Sequence, residues 1–377
     1  MEFSFVIPTY NNKTLLRNTL EALNYQKGFN RKDYEVIIVD DGSTDDTWET
    51  IQEVNQNYEL KYYYLPRNNL SCRAKTRNYG WKNASGEIIV FIDSDILIKS
   101  DYLSELKRFF SKSTDFLVFG TRLMLNESVN LQDISSGKVF RKYQFDSENF
   151  NILEYRYFLL ETSSYNAKMI MLPWTQVYSC NMAVPKKWLE LIGGFDENFK
   201  DWGLEDIELG YALYEKKIQI AVNSKLEVLH QNHGEGNDLI IKKEKMPGYE
   251  RNLAYFLKKH PQAVKMEKKY AFRFFKGEIS DSKLFMDLGT DYLYINFREP
   301  DKLEYIKDLV LNTSMEGKRI LVINDYTENT DLDVWLQLPR KENILVKYYP
   351  ASKRLDRKKM INFLKMEKKR LKELESF

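Results

Sequence analysis

Cysteine and histidine are scarce in this chain, two and three respectively among 377 residues. Cys72 and Cys180 could pair, but two thiols in a chain this long read as reduced residues of a cytosolic protein and not as a disulfide framework. A zinc site made of cysteines is excluded. An excess of one charge is also missing: 57 Lys and Arg face 55 Asp and Glu, for a formal charge of +2. General affinity for nucleic acid is therefore not expected. No apolar run approaches the length that spans a membrane, and no charged segment with an apolar core precedes the first strand. The expected location is the cytoplasm, or the inner face of a membrane. Neither a Gly-x-Gly-x-x-Gly turn nor a Gly-Lys-Ser/Thr loop occurs, so dinucleotide binding and P-loop phosphoryl transfer lose support.

The residues that are present suit a soluble globular protein with room for one large domain and a smaller one. Hydrophobic residues make up 43% and charged residues 30% of the chain. Aromatics reach 14%, with 25 Tyr. Tyrosine pairs a flat apolar face with a polar tip, which suits bases and sugars, although most of these rings serve core and surface.

The first hundred residues alternate strand and helix. Strands are expected at Phe3–Ile7, Val36–Val39, Tyr62–Leu65 and Ile88–Ile92, with helices at Thr14–Gln26, from Asp45, and at Arg73–Asn83. That order predicts a mostly parallel sheet flanked by helices, with right-handed crossovers. The stretch Ile88–Ile92 reads as a strand buried on both faces, and it stops at Asp93-Ser94-Asp95. At i, i+2 spacing on extended backbone both carboxylates leave from the same side and repel each other. A divalent metal carrying phosphates would relieve that repulsion. Alternatively, Asp93 ends the strand and Asp95 caps the next helix. Thr9, Tyr10, Asp40, Asp41, Arg73, Arg77, Asp93 and Asp95 all fall just after a strand or at a helix start, the edge where open α/β sheets bind ligands.

Four motifs in one order carry a family resemblance: Val6-Ile7-Pro8-Thr9-Tyr10-Asn11, Val39-Asp40-Asp41-Gly42-Ser43-Thr44-Asp45, Thr76-Arg77-Asn78-Tyr79-Gly80, and Gly86-Glu87 running into Asp93-Ser94-Asp95. Over roughly its first hundred residues the chain resembles a family 2 glycosyltransferase with a GT-A fold. The resemblance implies that Pro8, Thr9, Tyr10 and Asp40 or Asp41 hold the nucleotide of a sugar donor, most simply UDP-linked. It puts Arg73 and Arg77 near the base or the diphosphate, Asp93 and Ser94 on ribose or sugar, and Asp95 on a Mn²⁺ or Mg²⁺ ion.

A strand is expected at Trp174–Val184. Beyond it, Leu204, Ile207, Tyr211 and Tyr214 follow helical spacing and should pack inward, which leaves Glu205 and Asp206 in the first turn. Acids there can simply complement the helix dipole. The segment Trp202-Gly203-Leu204-Glu205-Asp206 also resembles the acceptor-side ending of chondroitin polymerases and polypeptide N-acetylgalactosaminyltransferases. That likeness implies Asp206 as general base, Glu205 as a positioning acid, and Trp202 and Gly203 on the acceptor side. His230 follows a strand-like run, and a neutral imidazole can complete a metal site begun by carboxylates; the resemblance assigns it to the metal. His233 is read as a surface residue, a diphosphate contact or part of the acceptor side. Gly234–Asp238 is read as a loop able to close over the donor.

Two domains are expected, 1–240 catalytic and 241–377 accessory. The second reads as a basic helix at Lys242–Lys259, strands at Lys283–Leu288, Tyr292–Phe297, Arg319–Ile323 and Ile344–Lys347, a helix near Leu303–Leu311, and a basic amphipathic helix from Leu355 to Leu374. That last helix packs on its own domain, or alternatively meets an anionic membrane surface or a partner chain. A homo-oligomer is compatible with the sequence.

The reaction implied is transfer of a sugar from a nucleoside diphosphate to a hydroxyl of a glycan or other surface polymer, with inversion. The polypeptide-transferase likeness leaves retention, or a peptide acceptor, as alternatives. A sugar nucleotidyltransferase would need a Gly-rich basic loop after the first strand, which Pro8-Thr9-Tyr10-Asn11 does not supply. A glycoside hydrolase would use paired carboxylates without nucleotide or metal. An inactive sugar-nucleotide binder need not have kept the acids that are all present here.

Overall fold

In the computed structural model, the residues described are 1–144, 172–233 and 244–263, scattered positions between 152 and 170, residues 304, 307 and 308, and the strands at 292–297, 319–325 and 344–350. The expected loop at 234–238, the strand at 283–288 and the helix at 355–374 lie outside them, as does most of the helix at 303–311. The chain divides into two compact units. The first holds Met1–Gln144, Ile152–Glu154 and Leu172–Phe256, and the second Phe145–Asn151, Tyr155–Met171 and Leu257–Phe377.

The first unit opens with β1 (Phe3–Thr9), α1 (Lys13–Leu23), β2 (Tyr34–Asp40), α2 (Thr47–Gln52), β3 (Glu59–Tyr64), α3 (Arg73–Lys82) and β4 (Ile88–Ile92). It continues through β5 (Ile96–Leu97), α4 (Tyr102–Phe110), β6 (Phe116–Phe119), β7 (Arg122–Met124), α5 (Leu131–Ser135) and α6 (Lys138–Lys142). After residue 172 come β8 (Asn181–Pro185), α7 (Lys186–Ile192), α8 (Glu205–Glu215), β9 (Gln219–Val222), β10 (Val228–His230) and α9 (Met246–Lys259).

Seven strands form the main sheet in the order β3-β2-β1-β4-β8-β6-β9. The first four are mutually parallel, as the alternating pattern requires. β8 runs antiparallel to both β4 and β6. β1, β2 and β4 are buried on both faces and mostly apolar, with Phe5, Val36, Ile38, Ile89 and Val90 fully buried. The chain steps outward from β1 to β3 and then returns to β4 on the other side of β1. That reversal opens a crevice at the carboxyl ends of the strands, beside Thr9, Asp40 and Asp93. A small second sheet, β5-β10-β7, folds over this edge and carries His230 to it.

Two helical details depart from expectation. The strand at Trp174–Val184 is confined to Asn181–Pro185, because Pro173 opens a 3₁₀ turn through Gln176. Pro fixes φ and lacks an N–H, so it starts helical turns readily. The turn seats Trp174 against Tyr211 and Phe256, with ring centroids 4.9 and 5.6 Å away. In α8, Tyr214 is 45% exposed, and Leu213 fills the core in that turn instead.

The second unit contains a parallel three-stranded sheet, β11 (Tyr292–Phe297), β12 (Arg319–Asp325) and β13 (Ile344–Pro350). No helix among the described residues is long and apolar enough to cross a membrane.

Candidate active site

Arg77 is the residue around which the acids gather. It lies on α3 and is 2% exposed. Its Nη2 donates to Asp93 Oδ1 at 3.0 Å and its Nη1 to Glu205 Oε1 at 3.2 Å; Asp206 Oδ1 stands 3.6 Å from the same nitrogen. Burial alone would weaken the guanidinium charge, but Asp206, Asp93 and Glu205 more than offset it and hold the group protonated. α3 reaches this depth because Gly80 lies against β1, where a Cβ would collide with Val6 Cγ1.

The acids of α8 are aimed by a strained turn. Gly203 and Leu204 have φ of +89° and +73°, and a leucine in that region costs on the order of 1–2 kcal/mol. The turn is tied down by Asn252, whose Nδ2 donates to the carbonyls of Asp201 (3.0 Å) and Gly203 (2.7 Å). Asp206 Oδ1 accepts from Ser179 Oγ at 2.6 Å. Burial and the neighbouring Glu205 raise the Asp206 carboxyl to about 6 against the pull of Arg77. Asp93 behaves oppositely: burial works against its charge, and Arg77 overrides that and holds it below the usual carboxylate range. Glu205 Oε2 and Arg77 Nε are buried with no hydrogen-bond partner among the described residues. Two neighbouring carboxylates are thus set for different work, one ionised, the other poised near neutrality to take a proton.

A second cluster stands at the other acid of the pair. Asp95 Oδ2 is 3.6 Å from His230 Nε2 and 4.0 Å from His233 Nε2. One ligand atom from each of the three residues lies within 4.8 Å of the others. His230 Nδ1 sits 3.1 Å from the Gln231 carbonyl, an arrangement that leaves Nε2 turned toward Asp95. Burial lowers the His230 pKa despite Asp95, which favours the neutral ring that a metal needs. Asp95 Oδ1 is buried without a partner among the described residues. A carboxylate with a spare oxygen and two imidazoles make a chemically suitable donor set for a divalent cation. Gln231 locks the cluster in place: its N–H donates to the Asp95 carbonyl (2.9 Å), and its side chain bridges Leu15 O and Asn18 on α1.

The remaining residues line the ends of β1 and β2. Asp40 is buried and takes the Ser43 N–H and the Tyr62 hydroxyl, each at 2.7 Å. Asp41, raised by burial, pairs with Arg67 at 2.6 Å, and Arg67 stacks 3.9 Å over the half-exposed ring of Tyr10. Thr9 Oγ1 is buried and unpartnered among the described residues. Ser94 accepts from Asn12 Nδ2 at 2.9 Å.

Residues 4–165 match the model of glycosyl transferase family 2, and residues 162–233 match a second one, described as the N-terminal domain of galactosyltransferase. The likeness to glycosyl transferase family 2 thus covers residues 4–165 of the 377. Validoxylamine A glucosyltransferase of Streptomyces hygroscopicus subsp. jinggangensis is 29% identical over 272 residues, 69% of this chain and 61% of that protein. Chondroitin synthase of Escherichia coli is 32% identical over 233 residues, 56% of this chain and 32% of that one. The chain thus spans less than two thirds of the length of these relatives. Among solved structures, S. aureus TarS 1-349 in complex with UDP-GlcNAc aligns with a TM-score of 0.50 at 17% identity, covering 82% of this chain and 81% of the other. At that identity the likeness is one of fold, and it agrees with the mostly parallel sheet described above.

The acids anticipated from motifs are brought close together, around two different positive or metal-ligating groups. Asp93 and Asp95 do not share one positive group; Asp93 faces Arg77, and Asp95 faces the histidines. Arg77 is enclosed by the three carboxylates Asp93, Glu205 and Asp206. Arg73 is exposed at the start of α3, in no ion pair among the described residues, and its charge helps depress Asp93. Trp202 is 37% exposed beside Tyr249, with Lys245 Nζ 5.6 Å over its ring. Ser179, Arg67, Tyr62 and Gln231 are not anticipated from the sequence. None stands in a motif, and each acts through a residue distant in the chain.

Proposed function

We propose that this chain transfers a sugar from a nucleoside diphosphate sugar, most simply UDP-linked, to an acceptor hydroxyl on a glycan or other surface polymer, with inversion. The observation that carries the reading is Asp206: a largely buried carboxyl that titrates at about 6, fixed by Ser179 and facing the crevice where Asp93 ends β4. A base of that strength can hold a proton in the transition state and release it at neutral pH. Asp206 would take the acceptor proton as its oxygen attacks the anomeric carbon. Asp93, kept ionised by Arg77, would accept hydroxyls of the donor, and Glu205 would orient a sugar hydroxyl through its free oxygen. Trp202 offers a ring face to the acceptor. Thr9, Tyr10, Asp40 and Asp41 form the nucleotide side of the crevice, with Arg67 available to it by leaving Tyr10.

Asp95, His230 and His233 would hold a divalent cation, and the two imidazoles favour Mn²⁺ over Mg²⁺. Bound there, the cation supplies positive charge to a departing diphosphate. The relatives' names, a glucosyltransferase and a chondroitin synthase, support sugar transfer as the class of reaction and leave sugar and acceptor open. Proton NMR of the anomeric signal in the first-formed product tests the scheme. Inverted configuration is expected; retained configuration would remove Asp206 from the role of base.

A further inference from the structure

Beside the Asp40–Ser43 turn lies a cavity of about 430 Å³ that shares Asp40 with the proposed nucleotide side and is otherwise unused by the transfer scheme. Its floor is Tyr62 and its wall Trp48, ring centroids 4.7 Å apart and tilted by 34°. Trp48 is 41% and Tyr64 51% exposed. Its rim carries Asp46 and Glu49, and Asp40 lies beneath. Asp40 is consumed by Ser43 and Tyr62, and Asp46 has Lys13 at 3.1 Å. Glu49 is exposed and in no ion pair among the described residues.

We propose that this cavity is a second saccharide site, taking one neutral or amino sugar unit of a glycan. Its volume falls in the range of small-ligand sites. Exposed Trp and Tyr rings give an apolar face to the C–H side of a sugar ring while their polar ends and neighbouring carboxylates take its hydroxyls. The rim charge decides the ligand class. Asp46 and Glu49, with Lys13 as their one cation among the described residues, repel phosphates and uronates, so the site does not suit a nucleotide or an acidic sugar. It adjoins the proposed donor side through one turn: Ser43 and Thr44 bond to Asn11 next to Tyr10, and Asp41 comes directly after Asp40. A glycan unit held here would stay with the enzyme while a different part of the molecule handles the donor. Binding at this site is independent of the transfer reading, since it is tested with no donor and no turnover.

The experiment is saturation-transfer NMR on the full chain with glucose, N-acetylglucosamine, glucosamine and glucuronate, with and without saturating UDP. The expected result is millimolar binding of the neutral and amino sugars, unchanged by UDP, with glucuronate about tenfold weaker. Trp48→Ala and Tyr64→Ala, each checked for folding by circular dichroism, should weaken binding by about tenfold or more. Glu49→Lys, on the exposed rim, should reverse the order of glucosamine and glucuronate, and it serves where an aromatic variant misfolds. Absence of neutral-sugar signals in the wild type, signals that persist in folded Trp48→Ala, or displacement by UDP would each overturn the proposal. Because none of these readouts involves Asp206, failure here leaves sugar transfer standing, and loss of transfer leaves this site standing.

Discussion

At the scale of single residues the pH dependence is the sharpest consequence. A base must be ionised, so kcat/KM should fall as pH drops below about 6, the value at which Asp206 takes its proton. Arg77 lowers that pKa and Glu205 raises it. Arg77→Lys keeps a charge but cannot reach three acids at once, so it should move the acid limb to higher pH. Glu205→Gln removes a like charge and should move the limb to lower pH. Opposite shifts in the two pH–rate profiles are the expected outcome; shifts in one direction would mean that Asp206 is not the group observed. The acids themselves were legible in the sequence because paired carboxylates after a buried strand or at a helix start are local patterns. Arg77 was legible as a motif residue, but its enclosure was not. Glu205 is 128 positions away along the chain, and nothing local announces that the two meet. Likewise Ser179 reaches Asp206 only through the fold.

At the scale of elements, close packing decides where the site can be. α3 touches β1 through Gly80, and Gly80→Ala would drive a methyl group into Val6. The expected cost is about 1–3 kcal/mol, read as a lowered Tm together with reduced turnover, because Arg77 rides on the same helix. Gln231 ties β10 to α1 and to the Asp95 carbonyl. Gln231→Ala should weaken Mn²⁺ binding about 10- to 100-fold in calorimetry while the fold survives; unchanged affinity would mean that the histidines need no such tether. Alternation of strand and helix made β1 to β4 readable, since β1, β2 and β4 are largely apolar runs closed by turns and β3 is a tyrosine-rich one between two helices. It failed at Trp174, where apolar residues after a proline form a buried 3₁₀ turn that periodicity alone cannot tell from a strand. The antiparallel placement of β8 between β4 and β6 was equally hidden, because strand order depends on pairings across the whole sheet.

At the scale of the molecule, the proposed chemistry rests on the first compact unit, which holds every residue given a role in it. A near-neutral chain with a locally acidic crevice needs cations at the point where a diphosphate would arrive, and Arg73, Arg67 and the Asp95–His230–His233 cluster are the groups placed to supply or hold them. The central claim is that Asp206 removes the acceptor proton in a sugar transfer from a nucleotide donor. The most direct measurement is turnover of a panel of UDP-sugars with Mn²⁺, for wild type and Asp206→Asn, alongside UDP affinity for both. The account predicts that kcat drops at least about 100-fold in the variant while UDP binds as before. An Asp206→Asn protein that turns over at the wild-type rate would contradict it.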